Sequence, residues 1–182
     1  MTHTEAGVPI ELTKGNIVKQ PDMEAIVNAA NAQLRTGGGV AGAIHSAAGP
    51  GLTNETRPLA PIQPGEAVIT GAHELPNAHV IHVLGPVYGR DEPSDELLRA
   101  GYEHALERAE ENDVASVAFP ALSTGAFGYP LDEAAHIAVH TMLDAAPALD
   151  AVEHVRFVLF DADALRAHEE ALETLLAERD NA

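Results

Sequence analysis

Three consecutive glycines, Gly37–Gly39, stand inside a stretch of small and apolar residues that runs over Ala25–Gly49. The stretch opens with Ala25–Val27, an apolar run typical of a buried strand, and closes with a helix predicted over Val40–Ala48. Glycine before a helix start lets the backbone approach an anion closely, and the free N–H groups of the first helical turn can then bind it. The stretch therefore predicts a phosphate-binding loop between a strand and a helix.

Strand and helix patterns alternate along the rest of the chain. Strands are predicted over Val8–Leu12, Glu66–Gly71, His79–Leu84, Ala115–Ala121 and His154–Phe160, and helices over Ser94 to about Asn112 (with Ser94 as N-cap), Leu131–Ala145 and Asp163–Ala177. The proline-rich segment Leu52–Gly65 is predicted to be mostly loop with one short helix at most. This alternation predicts one α/β domain over residues 1–182, with helices on both faces of a sheet.

A second glycine loop, Ser123–Pro130, also follows a predicted strand and precedes a predicted helix. Ligands of α/β sheets bind beyond the carboxyl ends of the strands. Two anion-binding loops at one edge predict a ligand with two phosphates.

Charge and composition exclude several classes of function. The chain carries 28 acidic and 10 basic residues, a net charge of −18, so its surface repels nucleic acid and anionic membranes. This charge predicts a salt-loving host, with a merely acidic mesophile protein as the alternative interpretation. No cysteine is present, which excludes a thiol nucleophile and disulfides. No apolar run reaches the roughly 20 residues of a membrane span, and Met1–Gly7 lacks the features of a signal peptide, so a cytoplasmic location is expected.

Other motifs in the chain are weaker. Gly37–Gly42 matches G-x-G-x-x-G, but Asn28–Thr36 separates it from the strand and no acid ends the next strand, which disfavours nicotinamide binding. His136 and His140 lack a carboxylate in register, so neither a metal nor a cofactor is predicted. Phe127 and Phe160 lie at the predicted ligand edge and are interpreted either as core residues or as stacking residues.

Taken together, these segments resemble the macro domain, an ADP-ribose-binding family. The resemblance rests on AIVNAAN (Ala25–Asn31), GGGVAGAIHSAAG (Gly37–Gly49), VIHVLGP (Val80–Pro86), FPALSTGAFGYP (Phe119–Pro130) and VLFD (Val158–Asp161). It covers a core of about residues 8–176. It implies a three-layer α/β/α sandwich with a mixed, mostly parallel central sheet of about six strands.

The resemblance also implies which residues bind ADP-ribose. Asn16 and Ile17 would meet the adenine, where many members have Asp in place of Asn16, and Phe160 would pack on the ring, next to Asp161. The pyrophosphate would lie between Gly38, Gly39 and Val40 on one side and Ser123, Thr124, Gly125 and Ala126 on the other. Phe127 would contact the distal ribose, and Asn31 would hydrogen-bond its hydroxyls.

Two functions follow from the resemblance. One is hydrolysis of mono-ADP-ribosyl esters on acidic side chains, or of O-acetyl-ADP-ribose, with Asn31 and Phe127 positioning a water molecule that the ligand's own phosphate can activate. The other is non-catalytic binding of free or protein-linked ADP-ribose. Hydrolases of the family often carry Asp after GGGV, where this chain has Ala41. The implied partners are ADP-ribose or an ADP-ribosylated protein.

Overall fold

A computed structural model describes residues 1–182. Seven strands form one sheet in the order β1-β2-β7-β6-β3-β5-β4. The strands are β1 (Thr2–Glu5), β2 (Val8–Lys14), β3 (Ala25–Ala29), β4 (Ala67–Gly71), β5 (His79–Val83), β6 (Ser116–Phe119) and β7 (His154–Leu159). The strands from β2 to β5 in this order are parallel, while β1 and β4 pair antiparallel at the two edges.

Helices cover both faces of the sheet. They are α1 (Gly39–Ala48), α2 (Pro50–Thr56), α3 (Ser94–Glu111), α4 (Leu131–Ala145) and α5 (Ala162–Asp180), with short 3-10 turns at Arg57–Leu59 and Ala146–Ala148. Helices α3, α4 and α5 pack with one sheet face in a hydrophobic cluster of 34 residues, and α1 and α2 pack with the other face in a cluster of 11. The predicted three-layer α/β/α sandwich with a mixed sheet is confirmed.

Alternation along the buried strands explains how two cores form from one sheet. On β3, Ala25 and Val27 belong to the larger core while Ile26 belongs to the smaller one. Because successive side chains of a strand point to opposite faces, an almost continuous apolar run supplies both layers.

The first strand is absent from the prediction, which expected about six strands starting at Val8. Thr2–Glu5 is polar and pairs at the sheet edge, so no apolar alternation marks it. Ala6 and Gly7 form the two-residue turn to β2 with φ of 50° and 85°, the positive values that a tight hairpin requires.

Two helix starts also differ from prediction. Ser94 is the first residue of α3 rather than its N-cap, because its hydroxyl donates backwards to the carbonyl of Asp91 (2.6 Å) and Pro93 occupies the cap position. The proline-rich segment contains α2, which begins at Pro50 directly after α1 ends. Proline is favourable at a first helical position because it lacks an N–H that would stay unpaired there.

Candidate functional site

The predicted site residues lie in loops at one edge of the sheet. Asn16 and Ile17 follow β2, Phe160 and Asp161 follow β7, the Ser123–Phe127 loop follows β6, and Asn31 and the Gly38–Val40 segment follow β3. These strands are neighbours in the order β2-β7-β6-β3 and run parallel, so their carboxyl ends share this edge. At about 4.8 Å between strands, the edge from β2 to β3 spans roughly 14 Å.

The first glycine loop leads directly into α1. Gly38 is the N-cap, no side chain caps the helix, and no acidic residue stands in its first turn. The N–H groups of Gly39, Val40 and Ala41 donate no hydrogen bond within the protein. A helix N-terminus with free N–H groups attracts anions. Gly42 closes the loop on the helix, since a Cβ there would collide with the carbonyl oxygen of Gly37.

Asn31 shapes the chain that leads to this loop. Its Nδ2 donates to the carbonyl of Arg35 (2.9 Å), and its Oδ1 accepts from the Arg35 N–H (3.0 Å). The side chain lies beside Gly37, where a Cβ would stand 3.3 Å from Nδ2. An amide has two N–H donors and two acceptor lone pairs, so Asn31 keeps one of each for a ligand.

The second glycine loop bends around Ser123. This residue has φ of 65° and is 7% exposed, and a Cβ on Gly85 would collide with its hydroxyl. The consecutive N–H groups of Ser123–Phe127 donate to no acceptor in the protein. Such a run of free backbone donors at a left-handed residue is typical of an anion-binding concavity. Thr124 turns its hydroxyl back to the carbonyl of Ala121 (3.3 Å), away from this role.

Phe160 lies at the opposite end of the edge from Asn31 and is 88% exposed. The interpretation of Phe160 as a core residue is therefore wrong. Asp161, which follows it, is the N-cap of α5 and accepts from the Ala164 N–H (2.8 Å). A large exposed ring next to a capped helix start offers a flat apolar surface for stacking.

The loop after β2 is held in place by a partly buried hydrogen-bond network. Arg156 donates to Oε1 of Gln20 (2.9 Å), and Gln20 donates to the carbonyl of Asn16 (3.0 Å). Asn16 uses its Oδ1 to accept from the Val18 N–H (3.1 Å), while Ile17 is buried in the smaller core. Asn16 therefore presents its Nδ2 and a second Oδ1 lone pair beside the exposed Phe160 strand end.

Phe127 is half-buried and belongs to the wall between the two loops. Its ring packs against a small cluster of Ala30, Leu34, Ile62 and Leu84, and its carbonyl accepts from the Tyr88 N–H (2.9 Å). The core interpretation and the ligand-contact interpretation thus both fit Phe127, since one part of the ring is packed and the rest is accessible.

A buried polar network lies below α1, the helix that follows the first loop. His82 on β5 faces Asn28 on β3 (Nδ1 to Nδ2, 3.0 Å) and Thr70 on β4 (Nε2 to Oγ1, 3.0 Å). Burial, and to a smaller extent the charge of His45 of α1, whose ring centroid lies 6.4 Å away, together lower the pKa of His82 to about 3. His82 is therefore a neutral structural residue. No group of His, Asp and Glu side chains is arranged to hold a metal ion.

One feature beside the site was not predicted from the sequence. A cleft of about 720 Å³ opens between the first turns of α3 and α4, next to the second loop. It is lined by Tyr88, Gly89, Glu92, Ser94, Asp95, Tyr129, Asp132, Glu133, His136 and Ile137. The only signal in the sequence is the Val-Tyr-Gly that follows Gly85-Pro86, which does not show which helix it meets.

The family model for the macro domain matches residues 27–138. The chain belongs to the macro domain family. This macro domain is 43% identical, over 91% of its length and 97% of the relative's, to a macro domain-containing protein of Caldanaerobacter subterraneus. It is 44% identical, over 87% of its length and 91% of the relative's, to an O-acetyl-ADP-ribose deacetylase of Salmonella newport.

Solved macrodomains share the whole fold. A mutant macrodomain of Oceanobacillus iheyensis with ADPR superposes with a TM-score of 0.92 at 35% identity, covering 97% of this chain and 98% of that one. The Trypanosoma brucei macrodomain in complex with ADP-ribose gives a TM-score of 0.83 at 35% identity, covering 90% of this chain and 68% of that one. Structural neighbours of this macro domain therefore bind ADP-ribose. No helix of the chain combines the length and apolar character needed to cross a bilayer.

Proposed function

We propose that this macro domain binds ADP-ribose along the edge between Phe160 and Asn31 and hydrolyses its esters, either mono-ADP-ribosylated acidic side chains or O-acetyl-ADP-ribose. The observation that carries the proposal is the pair of loops with unpaired backbone N–H groups, at Gly39–Ala41 and Ser123–Phe127, on neighbouring strands. Two sets of amide donors at one edge match a pyrophosphate, and the deacetylase of Salmonella newport supports the reaction type.

The ends of the edge fit the ends of the ligand. The exposed ring of Phe160 would stack on adenine, and the Asn16 amide would face the edge of the base. At the other end, the free donor and acceptor of Asn31 would bond the distal ribose hydroxyls, and Phe127 would contact the sugar. This arrangement would allow a chain with net charge −18 to bind an anion, because neutral amides and a helix dipole would replace lysines.

Hydrolysis would need one water molecule, which adds to the ester and leaves ADP-ribose and the free carboxylic acid. Neither glycine loop contains an acid that could act as general base, and Asp161 caps α5 at the adenine end. The chain would therefore act through orientation: Asn31 and Phe127 fix the ribose, and an oxygen of the ligand's phosphate accepts the proton of the water.

Ala41 favours a second candidate function, a non-catalytic reader of ADP-ribose. It is 5% exposed and lies in the first turn of α1. Hydrolases of the macro domain family often carry Asp at this position. A reader would use the same edge, so binding alone does not separate the two functions.

Two measurements test the proposal. Calorimetric titration with ADP-ribose should give saturable binding, and absence of saturation would refute both functions. Incubation with a mono-ADP-ribosylated acidic protein, or with O-acetyl-ADP-ribose, should release product faster than the Asn31→Ala variant does. Because Asn31 also shapes its own loop, the comparison includes Asn31→Asp, which keeps the acceptor for the Arg35 N–H, and a melting curve for each variant. Binding without product release would leave the reader function.

A further inference from the structure

The cleft between the first turns of α3 and α4 has a composition that suits a cation. Its walls combine aromatic rings with carboxylates, namely Tyr88 and Tyr129 with Glu92, Asp95, Asp132 and Glu133. None of these carboxylates forms an ion pair with an Arg, Lys or His of the chain, whereas Glu11, Asp22 and Asp144 elsewhere do. No Arg or Lys lines the cleft.

Acids in the first turns of α3 and α4 have a simpler explanation, since carboxylates stabilise helix N-termini. That explanation does not cover Tyr129. Its side chain is buried, with 5% exposed, yet it lines the cleft and its hydroxyl makes no hydrogen bond within the protein. Burial first, and then the charges of Asp95 and Glu133, raise the pKa of Tyr129, so the phenol keeps its proton.

The two tyrosine rings form one corner of the cleft. Their centroids lie 4.8 Å apart with an angle of 58° between the rings, and Tyr88 is 45% exposed. A guanidinium or ammonium group attracts both the face of an aromatic ring and nearby carboxylates. The planar guanidinium of arginine fits such a corner better than the compact ammonium of lysine.

The cleft adjoins the end of the edge where the proposed function puts the distal ribose. The Tyr88 N–H donates to the carbonyl of Phe127 (2.9 Å), and the Tyr129 N–H donates to the carbonyl of Ser123 (2.9 Å). Tyr129 is thus part of the second glycine loop, and Tyr88 is attached to it. A polypeptide joined to the distal ribose would leave the edge at this place.

We infer that this cleft binds an arginine or, less tightly, a lysine side chain of the ADP-ribosylated polypeptide, near the modified residue. The inference rests on the proposed function, because it takes the polypeptide from ADP-ribose bound at the neighbouring edge. The macro domain would then select basic sequences around a modified acidic residue.

The test compares two peptides that carry ADP-ribose through a linkage resistant to hydrolysis and differ only in an arginine or a glutamine close to the modified residue. The protein should bind the arginine peptide about tenfold more tightly. The double variant Asp95→Asn/Glu133→Gln should lose this preference, and Tyr129→Phe should reduce it, while free ADP-ribose binds all of them equally.

The matched control is Glu173→Gln/Glu178→Gln, which removes the same charge from exposed, unpaired positions of α5. This control should keep the full preference for arginine. An equal loss of the arginine preference in the control would show that the peptide is attracted by the net charge alone, and it would overturn the proposal that the cleft binds arginine. If the protein bound ADP-ribose but showed no preference between the two peptides, the proposed role of the cleft would be wrong and the proposed function would stand. Failure to bind ADP-ribose would overturn both proposals.

Discussion

The two glycine loops present free backbone amides in different ways. The first leads without delay into α1, whose first turn has neither a capping side chain nor an acid. The second is followed by α4 only at Leu131, and that helix has Asp132 and Glu133 in its first turn. Acids near a helix N-terminus neutralise its partial positive charge. The first loop therefore combines amides with a helix dipole, and the second depends on the amides of its own bend.

The supports of the two loops differ as well. Under the first loop, His45 of α1 neighbours the buried His82, a group that can be protonated. The second loop is anchored through Leu122, whose N–H donates to the hydroxyl of Tyr102 (3.1 Å). Burial raises the pKa of Tyr102 far above its ordinary value, so this anchor stays neutral in acid and at neutral pH. Acid should thus affect the first support and not the second.

The largest effect is expected for Gly125→Glu in the second loop. No atom lies within 4 Å of a Cβ at this position and its φ is not in the left-handed region, so the fold should tolerate the substitution. The new carboxylate would enter the space proposed for the pyrophosphate, and ADP-ribose affinity should fall by about 100-fold or more, about 3 kcal/mol. Calorimetry measures it, with Gly125→Ala as the control that adds a Cβ without charge. Unchanged affinity in Gly125→Glu would place the phosphates elsewhere.

The next effect concerns the buried support of the first loop. His82 in the folded chain has a pKa of about 3, against 6.5 when unfolded, so below pH 6.5 the unfolded chain takes up a proton that the folded chain does not. Stability should therefore fall with decreasing pH, by about 1.4 kcal/mol per pH unit and about 2 kcal/mol at pH 5. Burial also lowers the pKa of His45 and His168, which adds to the loss in the same direction.

Denaturant unfolding at pH 7 and pH 5 measures this loss, and the His82→Gln variant should show a smaller one. The carboxyls of Asp22 and Asp144 do not confuse the comparison. Hydrogen bonds from Arg156 hold the pKa of Asp22 below its ordinary value. Burial raises the pKa of Asp144, but hydrogen bonds from Arg99 and Arg179 outweigh it and lower this pKa too, so both contributions are lost only in stronger acid. If the stability of the His82→Gln variant fell with pH as steeply as that of the unchanged protein, the neutral state of His82 would not be the cause of the loss.

A smaller effect is expected for Gly42→Ala, which tests how tightly the first loop is closed. The added Cβ would collide with the carbonyl oxygen of Gly37, although alanine is the better helix former. The two effects together should destabilise the protein by about 1–2 kcal/mol and weaken ADP-ribose binding by about tenfold. Gly125→Ala is the matched variant in the open loop, and its melting point should stay unchanged. If Gly42→Ala and Gly125→Ala changed the melting point and the ADP-ribose affinity equally, the first loop would not be more tightly closed than the second.

How much of the structure can be predicted from the sequence depends on how far apart in the chain the interacting residues lie. The β3 run, the Leu131–Ala145 helix and the edge that gathers the site loops follow from local patterns, and the structure has them as predicted. The strand Thr2–Glu5 was missed because it is polar. One short helix was allowed within Leu52–Gly65, but its start at Pro50 was missed because Gly49, Pro50 and Gly51 are residues typical of turns. Local patterns do not carry enough information at such places.

The finer parts of the site depend on contacts between segments distant in sequence. Gly85 approaches the Ser123 hydroxyl, and Tyr88 meets Tyr129, only because β5 and β6 lie on either side of β3. No local pattern encodes these meetings. Phe160 is a partial exception. Its place at the end of a predicted strand and before an acid was compatible with a core position or with an exposed stacking position, and the structure shows it exposed.

Salt gives the smallest expected effect on binding and distinguishes the loops once more. The second loop has no basic residue, whereas Arg35 stands exposed just before the glycines of the first. Raising salt from about 0.1 M to about 2 M should weaken ADP-ribose binding by no more than about threefold, because amides carry no net charge to screen. Arg35→Gln should abolish what dependence there is.

The same salt series should raise the melting point, since screening relieves repulsion within a chain of net charge −18. Stability and affinity would then respond in opposite directions. That outcome would show that side-chain charges on the surface govern stability, whereas backbone amides at the sheet edge govern ADP-ribose binding. A melting point indifferent to salt would refute the salt-loving interpretation, and a steep loss of affinity that survives Arg35→Gln would show that the phosphates meet a cation other than Arg35.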